Sequence, residues 1–128
     1  MPTFRKPVLG IIVPCYNEEE ALPTSASRLG EKIQSLVARD LVDPASRVYF
    51  IDDGSTDSTW RIISDLVAGD PVYDGIKLTR NFGHQYAVYA GLMNASGDAL
   101  ITIDADLQDD IDANCQLSEP LRDPSSDD

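Results

Sequence analysis

The chain has 128 residues, 42% of them hydrophobic, and a formal net charge of −12. That length and apolar content suit one folded domain and exclude both a disordered tail and a second domain. Acids number 22 against 10 basic residues, and beyond residue 80 ten acids face Arg122 alone, which excludes a basic surface tracking nucleic-acid phosphates and calls for cations instead. Cys15 and Cys115 form no framework of pairs and read as free thiols of a reducing compartment. No stretch has the apolar core of a signal peptide or the ~18 apolar residues of a membrane span, so the chain is expected to be soluble and cytoplasmic.

Taken in order, residues 8–14 form a continuous apolar run closed by Pro14, as expected of a central strand buried on both faces. Asn17 and Glu18–Glu20 have the composition of a helix start. Pro23 cannot sit in a helix interior, so the sequence predicts a turn over 18–21 and a regular helix from about 23 to 39. A second strand is expected over 47–51, a turn over 52–57 and a helix over 58–68. A third strand is expected over 75–79, a helix with small residues over 83–95 and a fourth strand over 99–103. Strands alternating with helices make an α/β fold: a doubly wound, mainly parallel sheet with helices on both faces. Beyond Asp110 the pattern decays into an acidic, proline-containing stretch, residues 111–128, expected to fray.

Three strand ends carry chemistry: residues 14–18, 52–57 and 104–108. In a doubly wound sheet they meet on one rim. Strand alternation puts Asp104 and Asp106 on one side, with Ala105 turned away. Two hard oxygen ligands suit Mg²⁺ or Mn²⁺, which keep other positions for water and substrate phosphate. A chain with 17 Asp should contain roughly two such Asp-x-Asp triplets by chance, so the triplet carries weight only with its context. Asp52 and Asp53 offer carboxylates to a base N–H or to ribose hydroxyls, and Gly54 permits the sharp turn. Neither a dinucleotide-binding Gly-x-Gly-x-x-Gly nor a phosphate-binding loop occurs.

The segments Ile11-Ile-Val-Pro-Cys-Tyr-Asn-Glu-Glu-Glu20, Ile51-Asp-Asp-Gly-Ser-Thr-Asp57, Thr79-Arg-Asn-Phe-Gly-His-Gln85 and Asp104-Ala-Asp-Leu-Gln-Asp-Asp110 resemble, in order and spacing, the inverting family 2 glycosyltransferases of GT-A fold. The likeness covers residues 7–110, and residues 1–110 are read as the nucleotide-sugar-binding half of such a domain. It is strongest to the polyprenyl-phosphate branch, which includes dolichol-phosphate mannosyltransferase and bactoprenol glucosyltransferase. The resemblance implies metal-dependent transfer of a sugar from a nucleoside-diphosphate sugar to a polyprenyl phosphate, at the cytoplasmic face of a membrane in full-length relatives. Pro14, Tyr16 and Glu18 would line the base and ribose pocket. Asp53, with Asp52 beside it, would read the base edge. Asp104 would meet ribose or a metal-bound water, and Asp106 with Gln108 would ligate the metal. Arg80 and His84 would approach donor or acceptor phosphate. No catalytic residue is assigned, because an ionised phosphate acceptor has little need of a general base.

Such relatives continue with elements that shape the acceptor site. The chain is therefore expected to be a truncated product lacking that half, prone to self-association through an open sheet edge or apolar face. The alternative is a non-catalytic nucleotide-binding or self-associating fragment. A phospho-accepting receiver domain is disfavoured, since it needs paired acids where this chain has Pro14 and Cys15. Simpler roles are expected for several residues: core packing for Trp60, packing for Tyr86 and Tyr89, a buried filler role for Cys15, and solvation for Asp109, Asp110 and Asp112. His84 could equally cap the helix after Gly83, and Arg80 could equally pair with a carboxylate.

Overall fold

The structure is a computed structural model and describes residues 6–105. Asp106, Gln108, Asp109, Asp110, Asp112, Cys115 and the stretch 111–128 lie outside the described residues.

Seven elements follow one another: β1 (Leu9–Cys15), α1 (Leu22–Ala38), β2 (Arg47–Asp52), α2 (Thr59–Gly69), β3 (Tyr73–Lys77), α3 (His84–Asn94) and β4 (Ala99–Thr102). The strands form one parallel sheet in the order β3-β2-β1-β4. Every residue of β1 is buried, because β1 is flanked by β2 and β4 in the sheet and covered by helices above and below. On one face Leu9, Ile11 and Val13 pack with Val48, Phe50, the stripe Leu22, Ala26, Leu29, Ile33 and Leu36 of α1, and Ile63 of α2. On the other, Ile12, Tyr49 and Ile51 meet Ala87 of α3. The doubly wound α/β expectation holds.

Local signals set most boundaries. α1 begins at Leu22 with Pro23 in its first turn, where a missing N–H costs nothing. Asn17 does not cap it: its backbone is left-handed, with φ 53°, and its side chain serves another loop. β3 begins and ends two residues earlier than expected. Its register is set by pairing, with Val48 opposite Tyr73 and Asp52 opposite Lys77. Tyr73 anchors this end by packing its ring 5.8 Å from that of Phe50 and donating its hydroxyl to the Ala26 carbonyl at 2.7 Å. The aromatic expectations are revised as well. Trp60 lies at the margin of the core, with Lys77 Nζ 5.8 Å from its ring centroid. Tyr86 and Tyr89 are exposed, although Tyr86 does pack, its ring stacked on Phe82 with centroids 4.7 Å apart.

The chain passes from β1 through α1 to β2 on one side, while β4 arrives on the other side of β1. This divergence at the carboxyl ends of β1 and β4 is a topological switch point, where open α/β sheets hold their ligands.

Candidate functional site

A cavity of about 590 Å³ opens at that point, lined by Pro14, Cys15, Tyr16, Glu18, Asp53, Asn81, Gly83, His84, Asp104 and Ala105. Its floor is the end of β1. Pro14 presents no N–H, and Cys15 is buried beneath it with its thiol donating to the Val13 carbonyl. Burial, and after it the negative charges of Glu18 and Asp52, push the Cys15 thiol far above the usual thiol range, so it stays neutral.

The wall carrying Tyr16 and Glu18 is braced by the loop between β2 and α2. Asn17 N–H donates to Ser55 Oγ at 2.9 Å, and Thr56 N–H donates to Asn17 Oδ1 at 2.8 Å. Glu18 N–H donates to Thr59 Oγ1 at 2.9 Å, and Ser58 N–H to Glu19 Oε1 at 2.9 Å. The Thr59 hydroxyl is itself oriented by Asp57 at 2.5 Å. The two motifs, separated by some forty residues in sequence, are thus interlocked. Glu19, expected as part of a solvated helix start, braces this junction instead.

The neighbouring carboxylates of β2 part ways. Asp52 is fully buried and outside the cavity lining. Its Oδ1 accepts from Ser55 N–H at 3.1 Å, while Oδ2 is buried without a partner. Asp53 faces the cavity but is 3% exposed, and its oxygens accept from Phe82 N–H at 2.8 Å, Gly83 N–H at 3.1 Å and Asn81 Nδ2 at 3.2 Å.

On the opposite side Asp104 follows β4, its side chain about half exposed, with His84 Nε2 at 3.9 Å. The carbonyl of Ala105 accepts from the buried Ser25 hydroxyl of α1, which anchors the chain just past Asp104. His84 opens α3 without capping it by a side-chain hydrogen bond. Arg80 lies outside the lining, its guanidinium 4.5 Å from the Phe82 ring centroid.

The cavity therefore gathers Pro14, Tyr16, Glu18, Asp53, His84 and Asp104 of the expected set, and leaves Asp52 and Arg80 out. Asn81 and Gly83 line it although neither was singled out from the sequence. Their signal was their place in the Thr79–Gln85 motif. Among the described residues no group of three His, Cys, Asp or Glu is arranged to hold a metal. The expected set has its further members, Asp106 and Gln108, outside that range.

A parallel sheet with helices on both faces and an acidic cavity at its switch point defines an α/β domain with a candidate ligand site, and the sequence supplies its membership. The chain belongs to glycosyl transferase family 2, whose model matches residues 10–128. It is 44% identical over 108 residues to the uncharacterized glycosyltransferase YkoT of Bacillus subtilis, covering 83% of this chain and 32% of that protein. It is 42% identical over 111 residues to the bactoprenol glucosyl transferase of Shigella phage SfV, covering 87% of this chain and 34% of that protein. The chain thus spans about a third of the length of these curated relatives. The mannosyltransferase PcManGT of Pyrobaculum calidifontis, solved with GDP-Man and Mn²⁺, shares the GT-A fold. It has a TM-score of 0.64 and 24% identity, covering 94% of this chain and 32% of that one.

Proposed function

We propose that the cavity between the ends of β1 and β4 holds the nucleoside diphosphate of a sugar donor, and that the whole protein passes the sugar to a polyprenyl phosphate. The observation that carries this reading is the convergence of Tyr16, Glu18, Asp53 and Asp104 on one cavity at the switch point of a family 2 chain. The bactoprenol named for the phage relative supports the acceptor class, and the proposal sets the reaction at the cytoplasmic face of a membrane. No described helix is long and apolar enough to cross one.

Mg²⁺ or Mn²⁺ fits the donor chemistry: Asp104 offers a half-exposed carboxylate at the cavity, and the family resemblance adds Asp106 and Gln108, two and four residues further along the sequence, as hard oxygen ligands. Such a metal, when bound, supplies neutralisation of the charge that develops on the departing diphosphate. The chain's own residues do the rest. Tyr16 offers a half-exposed ring for a base, and Glu18 offers carboxylate oxygens for ribose hydroxyls or a ring N–H. His84 stands beside Asp104 as a donor to phosphate oxygens. The lipid phosphate is ionised and attacks the anomeric carbon without help from a base.

Calorimetry with UDP-, GDP- and dTDP-sugars, with and without Mn²⁺, tests the reading. Metal-dependent binding of one class of donor, lost in Asp106→Ala, is expected. Absence of binding by all three sinks it. A second reading, self-association of the domain, rests on the edge position of β4 and the exposed Tyr86, Tyr89 and Met93 of α3.

A further inference from the structure

Asp53 is a buried acceptor-only group on which donors from residues 81–83 converge. A carboxylate has about four lone-pair sites, and three of them are taken by that one segment. Weaker contacts add to these: Asn81 Nδ2 also donates to the Asp53 main-chain carbonyl at 3.2 Å, and the Phe82 ring stacks on Tyr86. Gly83 is the N-cap of α3 with φ 104°, and α3 has no side-chain cap of its own. Asp53, thirty residues away, accepts from the N–H groups of Phe82 and Gly83 just ahead of α3 and places negative charge near the positive end of the helix. Gly54 brings the two backbones together, since a Cβ there would run into Arg80 and Asn81. The other end of the segment is pinned where Leu78 N–H donates to the Asp52 carbonyl at 2.9 Å. Asn81, Gly83 and His84 all line the cavity, so whatever fixes this segment fixes one cavity wall.

We propose that Asp53 is a positioning residue: its buried carboxylate clamps residues 81–83 and thereby sets the cavity wall formed by Asn81, Gly83 and His84. The clamp is a property of the unliganded fold, while its consequence for nucleotides rests on the donor-site reading above.

Two measurements on the wild-type chain and on D53A and D53N test it: amide hydrogen exchange by NMR without nucleotide, and calorimetry with UDP, GDP and dTDP in Mn²⁺. In D53A, exchange at Phe82 and Gly83 should accelerate on the order of tenfold or more while β1 amides stay as in wild type. Affinity for the three nucleotides should fall by a common factor. D53N keeps one side-chain acceptor oxygen, enough for one of the two backbone N–H groups, so it should show smaller changes than D53A in both measurements. Unchanged exchange at Phe82 and Gly83 in both variants, or a loss confined to one base, overturns the proposal. Should D53A fail to fold, D53N carries the same comparisons. If wild type binds none of the nucleotides, the donor-site reading fails, and the exchange data still decide the clamp.

Discussion

Cys15 shows how neighbours remove a side chain from solution chemistry. Burial first, then the charges of Glu18 and Asp52, raise its ionisation far above the ordinary range. In the unfolded chain the thiol ionises near about pH 8.5, so above that pH folding must take up a proton. The associated stability is complete below the unfolded value and declines as pH rises beyond it, by up to about 1.4 kcal/mol per pH unit. Urea denaturation at about pH 7.5 and about pH 10 should show this decline in wild type and a shallower one in Cys15→Ala. Equal pH dependence in the two proteins would refute the assignment. The same neighbourhood separates Asp52 from Asp53. Adjacent in sequence, they point to opposite sides of a strand end, one buried away from the cavity and one facing it. The sequence reading treated them as a pair because residue type carries no information about partners thirty positions away.

At the scale of the element, α3 is the most instructive. His84–Asn94 has no charged residue other than the titratable His84 and is nearly as apolar on one side as on the other. Periodicity therefore could not tell which face docks. Residue size decided it: Ala87 and Gly91 are buried against the sheet, while the larger Tyr86, Tyr89, Leu92 and Met93 remain exposed. A Cβ at Gly91 would stand 2.5 Å from Ile12 Cγ2 and 3.2 Å from Ile51 Cδ1, both in the core. For Gly91→Ala, helix propensity favours the variant by about 1 kcal/mol and overpacking opposes it by about 1–3 kcal/mol. A net loss of up to about 2 kcal/mol is expected in chemical denaturation, and more for Gly91→Val. A stabilised Gly91→Ala would show that α3 docks less closely than described. β3 teaches the complementary lesson. Its turn signals were visible, but its register depends on how Tyr73 packs with Phe50, a contact between elements.

For the molecule as a whole, the open questions are assembly and charge. β4 lies at the sheet edge, and the exposed apolar residues of α3 add to the surface that water covers poorly. Light scattering over a concentration series should show a dimer or larger species, weakened in Tyr89→Glu and Met93→Glu. A monomer at all concentrations would contradict self-association. The net charge of −12 opposes such assembly, so moderate salt should strengthen it by screening the repulsion.

By itself the sequence determined the alternation of strands and helices, the parallel sheet, β1 as an interior strand, and the rim where β1, β2 and β4 end. These follow from apolar runs, proline and glycine punctuation and the direction of strands, which are local or nearly local in origin. Only the tertiary structure decided which of Asp52 and Asp53 meets the cavity, that Asn17 and Glu19 brace the neighbouring loop rather than start a helix, and that Asn81 and Gly83 form a wall. Each of those outcomes depends on hydrogen bonds between segments far apart in the chain, and such partners exist only once the sheet has brought its strand ends together.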